Sequence, residues 1–413
     1  MLKSFFVSVF AAVLMILAGT AGAAEKAPLR IAFIDPLSGP MAGVGVPALA
    51  QMKFEANRIN KEEGGINGHK VEIVAFDNKL SPQQTLVQFQ KAVDDGIRYM
   101  ALADGDSFAS ALLNAVNKHN QRNPKDPVLY LNYGAIGPEF TNERCSFWHF
   151  LFDDNTDMKM NILTDWVAKQ KSIHKVFLIN QDYGFGHRVA EDARKMLKEK
   201  RPDIKIVGDV FHPLAKVKDF TPYVTQIKQS GADAVITGNW GQDISLLVKA
   251  ADSLGLKIPF VTYYSNSPGT PSAMGKSGVN RVYLVWGYNG DYKNPQMAKR
   301  QQAMKKETGY DYGDIRQIYM LGMLKQAAEK ADSIDPTKVA FALEGLTYDG
   351  PAGPVTMRAK DHQIEEPMFV SVFTDNMKYG YGNTDGLNFH AIEKFTAQQG
   401  EMPTTCHMRR PKQ

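Results

Sequence analysis

Cysteine is scarce in this sequence, and the common motifs of catalysis are missing. Cys145 and Cys406 are the two cysteines in 413 residues, and they form no Cys-x-x-Cys pair. The sequence also has no His-Glu-x-x-His pair and no Gly-x-Ser-x-Gly elbow, which mark zinc-dependent and serine-dependent catalysis. None of the nine histidines has a second histidine four positions on with an acidic neighbour, so a catalytic zinc site has no support. We therefore predict no enzymatic activity, no metal and no cofactor.

Two glycine-rich stretches come near nucleotide-binding motifs without meeting them. Gly43 to Ala48 has the Gly-x-Gly-x-x-Ala spacing, but Asp35 to Met41 separate it from the preceding strand and Pro47 interrupts it. Gly269 to Ser277 has five residues between its glycines, where a phosphate-binding loop has four. The first stretch therefore gives no support for a dinucleotide site, and a surface loop is the better interpretation of the second.

A large excess of one charge is also missing. The 48 Lys and Arg residues against 44 Asp and Glu leave a net charge of +4, which gives no support for nucleic-acid binding. Hydrophobic residues make up 44% and charged residues 22%, as in soluble globular proteins. A chain of 413 residues is too long for one ordinary core and predicts about two domains.

Long apolar runs are missing beyond the N-terminus. There, Lys3 precedes an apolar run from Phe5 to Ala18 that is interrupted only by Ser8, and Ala21-Gly22-Ala23 follows it. The run is short for the roughly 20 residues of a membrane span, so the pattern predicts a secretory signal peptide over residues 1–24.

An exported chain enters an oxidising compartment, where two cysteines can form one disulfide. We therefore predict a Cys145–Cys406 bond that ties the C-terminal tail to the middle of the chain. The alternative, a reactive cysteine, has no local signature.

The stretch Leu29 to Gly45 shows the organisation of the chain. A strand-like run, Leu29–Ile34, breaks at Asp35-Pro36, and a Gly- and Pro-rich loop leads into an amphipathic helix. The same strand, loop and helix order recurs to about residue 138, and a second series begins near Phe150. Such alternation predicts an α/β fold with two doubly wound parallel-sheet lobes.

The region beyond the second series is less regular. We predict a helix over Asp314–Lys330, late strands at Val355–Met357 and Met368–Phe373, and an irregular polar tail from Glu401.

Aromatic, hydroxyl and carboxylate residues concentrate on the loops that follow the predicted strands. In an open α/β sheet, ligands bind beyond the carboxyl ends of the strands, and small-molecule clefts combine apolar walls with a few polar groups. We therefore predict a ligand cleft with Tyr183, Trp240 and Tyr264 as walls. The other candidates are Ser38, Asp106, Ser107, Tyr133, Ala135, Ile136 and Ser265. For each residue taken alone, packing or turn chemistry is the alternative.

Four stretches carry a resemblance to a known family. They are Pro36-Leu37-Ser38-Gly39-Pro40, Asn60 to Gly68, Asn132-Tyr133-Gly134-Ala135 with Pro138-Glu139, and Asp182-Tyr183-Gly184-Phe185-Gly186. In these stretches, and over nearly all of the mature chain, the sequence resembles the periplasmic branched-chain amino-acid (Leu/Ile/Val) binding proteins of ABC transporters.

The resemblance implies a type I periplasmic binding fold, in which a ligand is trapped between two lobes and delivered to an inner-membrane ABC permease. It implies a hinge of three crossings, near His149–Phe152, Leu284–Tyr288 and Pro354–Met357. The lobes would comprise residues 25–149 with 287–353 and residues 150–286 with 354–413. Periplasmic localisation and a monomer are expected, although the oligomeric state stays open.

The candidate site departs from the pattern that the resemblance implies. Asp106 stands where the family has a Ser that holds the ligand carboxylate, and Ile136 stands where it has a Thr. The region of Tyr264 and Ser265 lacks the acid that pairs with the ligand ammonium, and Val44 replaces a Trp. A carboxylate at the Asp106 position would repel a ligand carboxylate.

We therefore hypothesise that the ligand is not a simple branched-chain amino acid, and that an aromatic or amide-bearing small solute suits the cleft better. An alternative function for the same two lobes is a periplasmic sensor that presents its ligand state to a membrane receptor.

Overall fold

The structure, a computed structural model, describes residues 26–288, 290–313, 315–379 and 386–412. The predicted signal peptide at residues 1–24 lies outside the described residues. No helix in the described part of the chain combines the length and the apolar character that a membrane span requires.

The first half of the chain alternates strands and helices as the sequence predicts. Its elements are β1 (Leu29–Asp35), α1 (Ala42–Glu62), β2 (Val71–Asp77), α2 (Pro82–Asp94), β3 (Tyr99–Leu102), α3 (Asp106–Arg122), β4 (Leu129–Asn132) and β5 (His149–Leu151). The five strands form one parallel sheet in the order β2-β1-β3-β4-β5.

The second series builds a larger sheet. Its elements are α4 (Thr156–Lys169), β6 (Lys175–Gln181), α5 (Gly184–Lys200), β7 (Lys205–His212), α6 (Thr221–Ser230), β8 (Ala234–Thr237), α7 (Gly241–Ser253), β9 (Phe260–Thr262), α8 (Thr270–Met274) and β10 (Val282–Trp286). The strands β7-β6-β8-β9-β10 are parallel neighbours.

The last third of the chain adds helices beside the first sheet and strands to the second. Its elements are α9 (Pro295–Thr308), α10 (Arg316–Lys330), α11 (Pro336–Leu343), β11 (Thr347–Gly350), β12 (Gly353–Met357), β13 (Ile364–Glu365), β14 (Met368–Thr374), β15 (Asn388–Phe395) and α12 (Ala397–Gly400). Helices α9 and α10 pack against α1 beside the first sheet. Strands β11, β12 and β13 form a small antiparallel sheet.

The second sheet differs from the all-parallel sheet that the sequence predicts. Strand β14 pairs antiparallel with β10, and β15 pairs antiparallel with β14. Antiparallel neighbours, unlike parallel ones, need no crossover helix between them. The late strands at Val355–Met357 and Met368–Phe373 are confirmed, whereas β15 was not predicted.

Local sequence signals explain where several helices begin. The Ser81 hydroxyl accepts the backbone N–H of Gln84 at 3.4 Å, and Pro82 lies in the first turn of α2. Helix α10 begins with Arg316 and Gln317, and the apolar residues from Ile318 to Leu324 are almost all buried. Its amphipathic pattern places it against the core.

The predicted disulfide is confirmed. Cys145 and Cys406 are bonded, with their Cα atoms 5.7 Å apart. Beyond α12 the described tail forms no helix or strand. It is held beside the 141–146 segment, where the Thr404 hydroxyl donates to the Thr141 carbonyl at 2.6 Å. The bond therefore joins the end of the chain to the loop that precedes β5.

Candidate functional site

A small cavity lies where the carboxyl ends of the parallel strands in the two sheets face each other. The first sheet and its helices contribute Val44, Ala103, Asp104, Gly105, Asp106, Gly134, Ile136 and Arg316. The second contributes Tyr183, Phe185, Trp240, Tyr264 and Ser267. About 30 Å³ is open to the centre of a water molecule, and one water needs about 10–15 Å³. The two halves are therefore closed around a narrow space.

Five of the ten predicted site residues line this cavity. They are Asp106, Ile136, Tyr183, Trp240 and Tyr264. They follow five different strands of the two sheets, so the convergence depends on the relative placement of both sheets.

The other five predicted residues lie outside the cavity lining, and four of them form local hydrogen bonds. Ser38 is exposed and donates to Asp77 at 2.6 Å, and Ser107 is exposed on α3. The buried Tyr133 hydroxyl donates to Asp35, and the carbonyl of Ala135 accepts from Asn132 at 2.7 Å. The hydroxyl of Ser265 bonds that of Thr262 at 2.5 Å.

The aromatic walls contact one another across the second half of the site. The indole N–H of Trp240 donates to the Tyr183 hydroxyl at 3.0 Å. The Phe185 ring centroid lies 5.9 Å from those of Tyr183 and Tyr264. Rings held in this way present a rigid apolar surface to a flat or branched solute.

Asp106 is a buried acidic group of the cavity and lies at the start of α3. Its side chain is 6% exposed, and its Oδ1 accepts the backbone N–H of Gly137 at 3.2 Å. Burial raises the pKa of Asp106 to about 7, with a further contribution from the negative charge of Glu139, and the backbone N–H groups of Gly137 and Ile136 oppose this rise. Its charge therefore changes near neutral pH.

The turn into α3 requires glycine. Gly105 has φ +100°, and a Cβ at this position would lie 2.8 Å from the Phe108 ring. The left-handed backbone conformation directs the chain from β3 into the helix that carries Asp106.

Arg316 is a cavity residue that the sequence reasoning missed. Its Nη1 lies 3.0 Å from Oδ2 of Asp153, and its guanidinium stacks over Trp286 at 4.8 Å and over Tyr264 at 5.5 Å. The available signal was an arginine at the head of an otherwise apolar helix face. Nothing in the sequence showed that this face would reach the cavity.

Asp153 joins the two halves behind the cavity. Its Oδ1 lies 2.6 Å from Nζ of Lys159 on α4, and its Oδ2 accepts the Tyr264 hydroxyl at 2.8 Å. The hydroxyl oxygen of Tyr264 also lies 3.1 Å from the carbonyl oxygen of Gly134 in the first half. Because Arg316 approaches from α10, one buried carboxylate connects cationic side chains from both halves.

Two further carboxyl groups adjoin Asp153. Oxygen atoms of Asp153, Asp154 and Glu366 lie within 4.8 Å of one another, all three side chains being buried. Burial raises the pKa of Asp154 to about 8 against the charge of Lys159, and burial raises that of Glu366 as well. Oxygen triads of this kind can hold a cation. Here the ammonium of Lys159 already supplies the positive charge, and we assign no metal.

A larger groove lies away from the strand ends. It has about 770 Å³ open to water and is lined by residues of α1, α9 and the β11 turn. Many of these residues are charged, and the groove lies on one half of the molecule. The smaller cavity is the better candidate because both halves line it.

The close approach of Gly134 to Arg316 gives a first testable prediction. A Cβ on Gly134 would lie 2.3 Å from Nη1 of Arg316 and 2.9 Å from the Ala103 Cβ. We expect Gly134→Ala to lower the free energy of unfolding by about 1–3 kcal/mol, because such overpacking forces side chains to move. Gly43→Ala is the matched control, since nothing lies within 4 Å of its Cβ. Equal stability of both variants in urea denaturation would contradict the prediction.

Two wound sheets whose strand ends enclose one small, aromatic-lined cavity define a two-lobed binding protein of the type I periplasmic fold. A sequence model described as periplasmic binding protein matches residues 28–377. The chain belongs to this periplasmic binding protein family, and the resemblance to its Leu/Ile/Val-binding members is confirmed.

Individual relatives agree with this assignment. Leu/Ile/Val-binding protein homolog 4 of Brucella melitensis is 30% identical, with 99% of each chain aligned. The crystal structure of a leucine-, isoleucine-, valine-, threonine- and alanine-binding protein from Brucella ovis, in a closed conformation, has a TM-score of 0.81 and 30% identity. The match covers 93% of this chain and 100% of that one.

A solute-binding protein of an ABC transporter from Rhodopseudomonas palustris BisB5, in complex with 3,4-dihydroxybenzoic acid, shares the fold. Its TM-score is 0.74 at 22% identity, over 90% of this chain and 98% of that chain. These relatives are named for the solutes they bind and not for reactions.

Proposed function

We propose that this protein is the exported solute-binding component of an ABC uptake system, which traps a small molecule between two lobes and delivers it to the permease without chemical change. The observation that carries the proposal is the cavity enclosed by the strand ends of both sheets. A ligand placed there contacts both halves, so it stabilises the closed arrangement over an open one.

In this proposal, each lobe is built from two separate segments of the chain. Residues 25–149 with 287–353 form one lobe, and residues 150–286 with 354–413 form the other. The pairing of β14 and β15 with the second sheet supports this division, as does the bond from the Gln317 side chain to the Ala48 carbonyl at 3.0 Å. The crossings near 149–152, 284–288 and 354–357 would act as the hinge.

The ligand of the proposal is an amino-acid-like, aromatic or amide-bearing small solute. Four aromatic rings, those of Tyr183, Phe185, Trp240 and Tyr264, line the cavity, and Asp106 faces it from the opposite half. A relative named for branched-chain amino acids and a protein of the same fold in complex with 3,4-dihydroxybenzoic acid lend support to this class of solute.

Export through the predicted signal peptide would place the mature protein in the periplasm. The Cys145–Cys406 bond is consistent with this location, because disulfides persist in oxidising compartments. The permease partner is inferred from the family.

A thermal-shift screen of the purified mature protein tests the proposal. The panel contains amino acids, aromatic carboxylates, amides and polyamines. A ligand at a hundred times its dissociation constant should add about 2.7 kcal/mol of stability, which raises the melting temperature by several degrees. The absence of any shift across the panel, or conversion of a stabilising solute into a product, would overturn the proposal.

The ligand found in this way should depend on Trp240. We expect Trp240→Ala to weaken binding at least tenfold, or about 1.4 kcal/mol, because the change removes a cavity wall and the partner of the Tyr183 hydroxyl. Isothermal titration calorimetry measures the change. Tyr310→Ala is the control, since Tyr310 is 39% exposed and is not among the cavity-lining residues. Unchanged affinity in Trp240→Ala would place the ligand elsewhere.

A further inference from the structure

Asp106 lies where the N-termini of helices approach the cavity. Helix α3 begins at Asp106, and helices α5 and α7 begin at Gly184 and Gly241, next to the cavity residues Tyr183 and Trp240. Helix N-termini carry partial positive charge and unpaired N–H groups, so they attract negatively charged groups. In this protein the negatively charged group at this place is the side chain of Asp106.

The backbone donors at this place are directed at the Asp106 carboxylate. The N–H of Gly137 donates to Oδ1 at 3.2 Å, and the N–H of Ile136 also bonds this carboxylate. A ligand carboxylate at the same place would have to compete with Asp106 for these donors. It would also face the negative charge of Asp106 at short range, in a site where water screens little.

We infer that Asp106 determines specificity, so that the cavity takes a solute that presents an N–H donor, from an amide or an ammonium group, and discriminates against one that presents a carboxylate there. This inference rests on the proposed function and specifies its ligand. The donor would point to Asp106, and the apolar body of the solute would pack against Tyr183, Trp240 and Tyr264.

The charged surroundings of Asp106 favour a donor over an anion. Glu139 lies in the turn after β4 and raises the pKa of Asp106, and Asp104 lines the same cavity. The cation of the lining, Arg316, is paired with Asp153 at 3.0 Å. The other titratable groups that interact with Asp106 are the hydroxyls of Tyr130, Tyr183 and Tyr264.

The pH dependence of binding follows from this arrangement. An N–H donor is bound best by ionised Asp106, whereas a carboxylate is accepted only by protonated Asp106. With a pKa of about 7, Asp106 becomes ionised as the pH rises from 6 to 8. We therefore expect a neutral amide to bind about tenfold more tightly at pH 8 than at pH 6, and a carboxylate to show the opposite trend.

Two sets of matched probes test the inference. Benzamide, benzylamine and benzoate share one ring, and isovaleramide, isoamylamine and isovalerate share one branched chain. Dissociation constants are measured by calorimetry at pH 8 for the wild-type protein and for Asp106→Ser and Asp106→Asn. Asp375→Asn serves as the matched control, because Asp375 is exposed. Circular dichroism establishes that each variant is folded.

In at least one set, the amide or the amine should bind at least tenfold more tightly than the carboxylate. Asp106→Ser should remove or invert this preference, and Asp375→Asn should retain it. If the carboxylate of a set binds as tightly as its partners, or if Asp106→Ser keeps the preference, the inference is overturned while solute binding stands. If no probe binds and the wider solute panel also fails, the inference and the proposed function are overturned together.

Discussion

Replacement of Asp153 by alanine is expected to lower the free energy of unfolding by about 3–5 kcal/mol. Asp153 is 1% exposed, and it pairs with Lys159, which is fully buried, and with Arg316. Removal of the carboxylate leaves two cations in the interior without their main counter-charge. The Tyr264 hydroxyl also loses an acceptor at 2.8 Å. Urea denaturation of the ligand-free protein measures the change.

The size of this effect depends on burial, so an exposed aspartate provides the control. Asp375→Ala should change stability by less than about 0.5 kcal/mol, as surface substitutions usually do. The loss of stability in Asp153→Asn should lie between the losses in Asp153→Ala and Asp375→Ala. Asparagine retains an acceptor for Arg316 and Tyr264 but removes the charge. A loss below about 1 kcal/mol in Asp153→Ala would show that the two cations are satisfied by other groups.

Loss of the disulfide is the second large expected effect. The double variant Cys145→Ser/Cys406→Ser should lose about 2–5 kcal/mol of stability. The bond connects residues 261 positions apart, so it removes a long loop's freedom from the unfolded chain. The tail would retain the bond from the Thr405 N–H to Asn142 at 2.9 Å and the Arg410–Glu344 ion pair at 2.7 Å. Denaturation curves with and without reductant measure the loss.

The double variant supplies its own control, because reductant should have no effect on it. Wild-type protein in reductant should approach the stability of the variant. If the variant and the oxidised wild-type protein have equal midpoints and equal denaturant slopes, the bond does not stabilise the fold. A loss confined to faster proteolysis near residue 400 would mean that the tail detaches while both sheets remain folded.

Periodicity was sufficient to predict most of the fold. Most parallel strands of the two sheets are short and apolar, and amphipathic helices separate them. The units from β1 to β10 were therefore mostly visible in the sequence. The antiparallel pairing of β14 and β15 could not be predicted in this way. A pattern of apolar residues shows that a strand is buried but carries no information on the direction of its neighbour.

The candidate site was only partly predictable. The rule that ligands bind at strand ends selected the loops of Asp106, Tyr183, Trp240 and Tyr264, and the structure brings these residues together. The same rule also selected Ser38 and Ser107, which are exposed outside the cavity lining. Loop position limits where a residue can lie, but the direction of its side chain depends on the local backbone.

The buried ion pairs could not be predicted from the local sequence. Lys159 lies among apolar residues of α4, and Arg316 begins an apolar helix 157 positions later; these are the places where sequence patterns suggest packing. Their common partner, Asp153, lies in the segment between the two halves. Contacts between distant segments become visible only when the chain is folded.

The sequence by itself determined the α/β class, the two wound series, the disulfide and the family, because these depend on local periodicity, cysteine number and short motifs. Only the tertiary structure decided which strand-end residues share one cavity, that the Asp106 carboxylate uses the backbone donors of the 136–137 segment, and that Asp153 joins cations from both halves. The physical reason is that burial, charge pairing and pKa depend on neighbours brought close in space from distant parts of the chain.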